Sequence, residues 1–135
     1  MRRNESSRSR LRTTRAAVLA CLVACAGCSG GSTAHWIGQL KSPEPADRLQ
    51  AIRKLQDRKA DAAQVVPALI DALGDDVTDV RRTAAGTLGS FGSDAQSAVP
   101  ALTAALRDRE PSVRKSAGSA LKQIDLAAAH KAGVK

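Results

Sequence analysis

The chain has 135 residues, with 21 Lys and Arg against 13 Asp and Glu, and its formal net charge is +8. This length fits one small domain. Trp36 and Phe91 are its only aromatic residues, so any core must be built from Ala, Leu, Val and Ile. The charge does not indicate a nucleic-acid binder, because six arginines and one glutamate before residue 28 account for +5 of it. We therefore expect no nucleic-acid partner.

The N-terminal region is typical of an export signal. Residues 1–15 carry the six arginines, and residues 16–24 are uninterruptedly apolar but too short to span a bilayer. Two cysteines then follow in a setting that resembles a bacterial lipobox. Cys25 has a leucine three residues before it, whereas Cys28 follows Ala-Gly and precedes a Ser/Gly-rich segment. Cys28 is favoured as the lipidated residue because it leaves the longer apolar region, and Cys25 is the alternative.

This pattern predicts an exported bacterial protein that acyl chains hold on the cell envelope. Residues 1–27 would be the lipoprotein signal peptide, and residues 28–32 a flexible Gly/Ser tether. Whether the inner or the outer membrane carries it stays open. The alternatives are an ordinary cleaved signal peptide and an uncleaved anchor.

The rest of the chain repeats itself with a period of 33 residues. Pro67-Ala68-Leu69 returns as Pro100-Ala101-Leu102. A fixed period in this range indicates a solenoid, in which one unit recurs and buries its apolar side against its own copies. Four columns are identical in three successive units: Leu40, Leu73 and Leu106; Arg48, Arg81 and Arg114; Ala51, Ala84 and Ala117; Leu55, Leu88 and Leu121.

Each unit has the apolar spacing of two short helices joined by a tight turn. Val80, Ala84, Leu88 and Phe91 share one side of the second helix, and Leu73 and Leu106 are expected in the core with the first helices. Because the residue before a proline disfavours the α-conformation, we expect a one-turn helical piece from Asp61 or Asp94, then a kink, and then the main first helix from Pro67 or Pro100. Asp61 and Asp94 are expected as N-caps. The predicted helices are 33–41, 45–57, 67–73, 78–90, 100–106 and 111–124, with 126–131 as a possible extension.

The pattern Pro-Ala-Leu-x-x-x-Leu-x-Asp-x-x-x-x-Val-Arg-x-x-Ala-x-x-x-Leu resembles HEAT repeats, most closely the short bacterial type of phycobilin-lyase-like proteins. The resemblance implies an all-α fold, an α-solenoid (α–α superhelix) of about three helical hairpins, which usually binds other macromolecules. The repeat domain is placed at residues 33–126, divided into 33–66, 67–99 and 100–126, and followed by a tail at 127–135. The expected function is a protein-interaction or scaffold module. The alternatives that the resemblance suggests are a lyase acting on a bilin and a nucleic-acid-binding protein.

Two groups of polar residues are candidate sites. The arginine column Arg48, Arg81 and Arg114 predicts a structural ladder, in which guanidinium groups bond loop carboxylates or carbonyls between neighbouring repeats. The exposed side of the second helices, which line the concave side of HEAT-like stacks, is mildly basic. It is interpreted as a shallow groove for an acidic segment of a protein, against the simpler reading of a solvated face. Its residues are Gln50, Arg53, Arg82, Thr83, Lys115, Ser116 and Ser119.

No catalytic motif is visible in the sequence. His35 and His130 lie at opposite ends of the repeats, and no carboxylate or cysteine stands at a spacing that would join them. All three cysteines precede the repeats, and Cys25-Ala26-Gly27-Cys28 has no second pair at metal-ligand spacing. We therefore expect a protein that is not an enzyme and that uses no cofactor or metal. The oligomeric state stays open.

Overall fold

The computed structural model of the protein describes residues 31–135. Within this range the chain forms helices and no strand. The 3₁₀ segments Lys59–Asp61 and Gly92–Ala98 precede the third and fifth α-helices. The predicted signal peptide and both candidate lipidation cysteines lie outside the described residues. The α-helices are α1 (Thr33–Gln39), α2 (Pro45–Gln56), α3 (Ala62–Ala72), α4 (Thr78–Ser90), α5 (Val99–Ala105), α6 (Pro111–Ile124) and α7 (Leu126–Lys131).

The helices pair into three hairpins that stack on one another. Helix α1 packs against α2, α3 against α4, and α5 against α6. The second helices form a continuous row, since α4 lies between α2 and α6 and contacts both. The first helices are linked more loosely, through α1 and α3 and through α3 and the 3₁₀ segment Gly92–Ala98. The fold is thus the predicted all-α solenoid, in which each hairpin covers the apolar side of its neighbour.

The core follows the repeat columns of the second helices. Val80, Ala84, Leu88 and Phe91 are buried together on one side of α4, as their spacing predicts. On the first helices the fully buried column is Leu69 and Leu102. The prediction that Leu73 and Leu106 are core residues is wrong, because both are only half-buried. They stand at the C-caps of α3 and α5, where the helix ends and solvent reaches the side chain.

Helix α3 departs from the prediction at Pro67. The helix begins at Ala62 and continues through the proline instead of starting there. An interior proline costs about 3 kcal/mol. The five residues before it bring Val65 and Val66 into the core, and burial of each side chain contributes about 1.5–3 kcal/mol. In the third repeat Ala98 replaces Val65, and there the α-helix does start just before Pro100.

Asp61 stands at the N-cap position of α3, as predicted, but its side chain accepts no hydrogen bond from the first turn of that helix. Asp94 lies inside the 3₁₀ segment Gly92–Ala98, so the second predicted N-cap is wrong. The Asp61 carboxylate instead accepts a hydrogen bond from Thr33 Oγ1 of α1. A contact to the preceding hairpin therefore replaces the local capping bond, which sequence spacing alone does not reveal.

The chain after α6 turns back over the last hairpin. Asp125 is extended and separates α6 from α7, and its carboxylate caps α7 by accepting from Ala128 N at 3.0 Å. Residues 126–131 thus form a separate helix and do not prolong α6. Gly133 then adopts a positive φ of 81°, and the side chain of Val134 lies over Gly118 of α6. The tail after α7 is therefore packed on α6 through Val134.

Two glycines of α4 give a direct test of the close stacking. A Cβ on Gly89 would lie 2.9 Å from Ala120 Cα, whereas a Cβ on Gly86 would meet nothing within 4 Å. We expect Gly89→Ala to destabilise the fold by about 1–3 kcal/mol, because the backbone of α6 must move. Gly86→Ala should stabilise it by about 0.5–1 kcal/mol, since alanine is the better helix former. Thermal unfolding of both variants measures the difference, and equal effects would contradict the contact between α4 and α6.

Candidate protein-binding surfaces

The arginine column is built where the turn of each hairpin meets the turn of the next. Arg48 Nη1 donates to the carbonyls of Ser42 and Pro43 at 2.8 and 3.1 Å, in the turn of its own hairpin. Its Nε lies 2.8 Å from Asp75 Oδ2 of the second hairpin, and its Nη2 lies 3.1 Å from Asp76 Oδ1. One guanidinium group therefore joins two successive turns.

Arg81 repeats this arrangement one period later. Its Nη1 donates to the carbonyls of Asp75 and Asp76 at 2.9 and 3.1 Å. Its Nε and Nη2 donate to the two carboxylate oxygens of Asp108 at 2.9 and 3.1 Å. Both groups are shielded, with 5% and 13% of their side chains exposed. A two-point pair of this kind fixes the orientation as well as the distance of the partners.

The pairing changes the acidity of the carboxylates. Hydrogen bonding from Arg81 lowers the pKa of Asp108, and the same bond raises the pKa of Arg81. At Asp75, burial would raise the pKa, but hydrogen bonds from Arg48 and from Val77 N–H outweigh it and lower the pKa. These aspartates are therefore charged links between repeats.

Arg114 occupies the same position in the third hairpin but has a different environment. Its Nη1 donates to the carbonyls of Asp108 and Arg109 at 2.8 and 3.1 Å, as the other two arginines do in their own turns. Within residues 31–135 it pairs with no carboxylate, because the residues that follow α6 there form the single helix α7 and a short tail. Within the described residues, the Arg114 guanidinium group therefore bonds two turn carbonyls but no carboxylate.

The predicted groove residues lie on the outer side of the second helices, which we call the second-helix face. Helices α2, α4 and α6 are neighbours, so these residues form one strip across three repeats. Arg82 Nη2 donates to Asp79 Oδ1 at 3.0 Å, and Thr83 Oγ1 donates to the carbonyl of Asp79 at 2.7 Å. Thr83 and Ser116 are half-buried, and the remaining members are exposed: Gln50, Arg53, Arg82, Lys115 and Ser119.

A second surface closes the C-terminal end of the stack and was not predicted. Two open hollows of about 670 and 300 Å³ share Leu106 at this end. We call the residues around them the C-terminal end surface. The sequence feature that could have indicated it is that residues 125–135 do not continue the repeat pattern. The larger hollow is lined by Val99, Thr103, Leu106, Arg107, Ala128, Lys131 and Ala132, and the smaller by Leu106, Arg114, Lys115, Gly118, Ser119, Lys122, Val134 and Lys135.

Neither surface has the residues of a metal centre. In the part of the chain that the structure describes, no three His, Cys, Asp or Glu residues come together in a group that could hold a metal ion. His35 lies in α1 and His130 in α7, at opposite ends of the stack. The same 105 residues include no helix with both the length and the apolar character that crossing a bilayer requires.

The fold and the polar turns define an α-solenoid of stacked helical hairpins. Residues 33–122 match the family of HEAT repeats, and the chain belongs to this family. HEAT repeats form helical modules suited to protein interaction. A search of the curated proteins finds no match to the chain.

A solved structure is similar to this fold. It is a chain in the complex of CpcE and CpcF of phycocyanin lyase from Nostoc sp. PCC7120, with 27% sequence identity and a TM-score of 0.69. The match covers 80% of this chain and 42% of the other, so this chain spans less than half the length of the lyase subunit.

This likeness overturns the expectation that the chain is not an enzyme, because the similar chain is part of an enzyme complex. The expectation rested on the absence of a catalytic motif from one sequence. Function resides in sites that folds carry, so the lack of a familiar motif did not justify that expectation.

Proposed function

We propose that the protein is a lipid-anchored HEAT-repeat module of the bacterial cell envelope that binds a protein partner through an acidic segment. The observation that carries the proposal is the second-helix face. Its basic side chains Arg53, Arg82 and Lys115 are exposed and lie outside the core. The likeness to a chain of a two-protein complex supports a protein as the partner.

The partner would meet a polar and weakly charged surface. Of the three basic side chains, Arg82 already shares its charge with Asp79. Each exposed ion pair contributes little affinity, but such pairs steer association and select the sign of the partner's charge. The face therefore favours a reversible complex with an acidic segment, formed faster at low ionic strength.

Charge reversal on the face tests this proposal. Crosslinking in native envelopes, followed by mass spectrometry, identifies the attached protein. Arg53→Glu with Arg82→Glu should then reduce its capture about tenfold at low salt and leave the melting temperature nearly unchanged. Lys41→Glu with Lys59→Glu is the matched control, since it makes the same charge change on exposed residues outside the second helices. Equal capture by both double variants would remove the second-helix face from the proposal.

The anchor has its own experiment. Because the lipobox-like segment offers two cysteines, metabolic labelling with palmitate should persist in Cys21→Ser and disappear when Cys25 and Cys28 are both changed to serine. The two single variants then identify the acylated residue, with Cys28 expected. Label retained by the double variant would contradict lipid anchoring at this segment.

A second candidate function is favoured by the structural likeness alone. It is participation in a lyase reaction with a bilin as substrate, as the resemblance to phycobilin-lyase-like proteins implies. Incubation of the full chain with a bilin and the captured partner tests it, with attachment followed by the absorbance of the bound pigment. If the absorbance spectrum is the same with and without the chain, the lyase candidate is excluded and protein binding remains the proposed function.

A further inference from the structure

The arginine column has a direction along the stack. Arg48 and Arg81 each donate to the turn carbonyls of their own hairpin and to a carboxylate of the hairpin that follows, Asp75 and Asp108 respectively. Arg114 makes the first kind of bond, to the carbonyls of Asp108 and Arg109. Among residues 31–135 it meets no carboxylate of the second kind. The turn therefore orients the Arg114 guanidinium group without a carboxylate partner in the described residues.

The charged side chains around Arg114 are basic, although Lys122 Nζ also donates to the main-chain oxygen of Lys135. Lys115, Lys122 and Lys135 line the same hollow, and Arg107 and Lys131 line the adjacent one. No acidic side chain lines either hollow. The apolar side chains of Leu106 and Val134 lie between these cations. Clustered cations beside partly exposed apolar groups suit a partner that carries both carboxylates and apolar side chains.

We propose that the C-terminal end surface binds an acidic segment of a partner protein, which places a carboxylate on Arg114 as Asp108 meets Arg81. The inference rests on the proposed function and names the anchoring point of the same segment. The two surfaces adjoin, because Lys115 and Ser119 belong to both. The segment would enter along the second-helix face and end at Arg114.

A second copy of this chain does not supply the missing carboxylate. By the 33-residue period, Ser42 and Pro43 of the first hairpin stand where Asp75 and Asp76 stand in the second. The Ser42 hydroxyl, moreover, already donates to Asp47 within its own hairpin at 2.9 Å. The first turn of another copy therefore offers Arg114 no acid at the matching position.

The residues after α6 already occupy part of this end. Helix α7 packs against α6, and Val134 lies over Gly118. A further hairpin stacked as α4 stacks on α2 would have to displace them. An extended acidic segment could reach Arg114 beside them.

The chain itself provides a defined probe for this surface. The turn Gly74-Asp75-Asp76-Val77-Thr78-Asp79 presents the carboxylates that meet Arg48. A synthetic peptide of this sequence is titrated into the ¹⁵N-labelled full chain at low salt. We expect saturable shifts of the Arg114 Nε–Hε signal and of the amides of Leu106, Lys115 and Lys122. A peptide with asparagine in place of Asp75 and Asp76 should cause none.

Variants separate this inference from the proposed function. Arg114→Gln should weaken the peptide about tenfold, because it removes charge-assisted hydrogen bonds, and Arg114→Lys should weaken it less. Lys122→Gln is the second variant, since it leaves the turn bonds of Arg114 intact. Lys59→Gln is the matched control, because Lys59 is exposed and lies outside both surfaces, and it should leave binding unchanged.

Three results would overturn the inference. Shifts confined to Gln50, Arg53 and Arg82 would place the segment on the second-helix face alone and leave the proposed function standing. Equal shifts with the asparagine peptide, or none with either peptide, would remove Arg114 as a carboxylate site. If the chain dimerises in sedimentation experiments and Arg114→Gln abolishes the dimer, a second copy of the chain occupies this end.

Discussion

Leu88→Ala should lower the free energy of unfolding by about 3–5 kcal/mol. Leu88 is fully buried on α4, the helix that lies between α2 and α6 and also packs on α3. Truncation removes the transfer free energy of the side chain and leaves a cavity that rigid neighbouring helices fill only in part. Since the described stack has three hairpins, a cavity in the middle one weakens the contacts on both sides.

Urea unfolding of the full chain, followed by circular dichroism, measures this loss. Leu126→Ala is the matched control, because Leu126 is 55% exposed and should change the stability by less than about 0.5 kcal/mol. Leu73→Ala, at a half-buried position, should fall between the two. Similar losses at all three leucines would contradict the assignment of the core to the column that contains Leu88.

Arg81→Met is expected to cost about 2–4 kcal/mol. The change leaves the carboxylate of Asp108 and two turn carbonyls without their donor in a shielded place. Removing one member of a fully buried pair costs about 3–5 kcal/mol, and the partial exposure of Asp108 reduces this. Arg82→Met is the matched control, because the Arg82–Asp79 pair is exposed and is worth at most about 0.5 kcal/mol.

The pH dependence distinguishes loss of the pair from loss of packing. Because Arg81 lowers the pKa of Asp108, the pair stabilises the native state above the unfolded-state pKa of about 4 and loses this contribution as the pH falls through the lowered value. The wild-type chain should therefore lose more stability on acidification below about pH 4 than Arg81→Met does. If the free energy of unfolding of the two proteins changed with pH in the same way, Arg81 would stabilise the fold through the packing of its aliphatic part alone.

The second helices could be predicted nearly to the residue. Their apolar positions keep the 3–4 residue rhythm, a polar turn precedes each, and in α6 a proline stands in the first turn. These are local properties, which the sequence carries directly. The predicted ranges 78–90 and 111–124 agree with α4 and α6 for this reason.

The first helices were harder because local and distant contacts compete there. Pro67 by its own preference would begin a helix, but the burial of Val65 and Val66 extends α3 ahead of it. Asp61 would cap that helix, but it bonds Thr33 of the first hairpin instead. In both cases tertiary packing decides the outcome, and spacing along the chain does not reveal it.

The two candidate surfaces also differ in how far the sequence predicts them. The second-helix face could be read from the sequence, since helical periodicity assigns its residues to the side opposite the core. The C-terminal end surface could not, because it depends on where α7 turns and where Val134 lies against Gly118. The repeat period indicates that Arg114 lacks a following hairpin, but only the folded chain shows which cations surround it.

By itself, the sequence determined the repeating unit and the core columns of the second helices, because a hairpin that exposes one apolar side must stack on its own copies. The tertiary structure alone decided how closely α4 and α6 approach at Gly89 and which aspartate each arginine meets. The tertiary structure also decided how α7 and Val134 pack on α6 at the C-terminal end of the stack. These features depend on distances between residues about one period or more apart, which follow from packing and not from local preference.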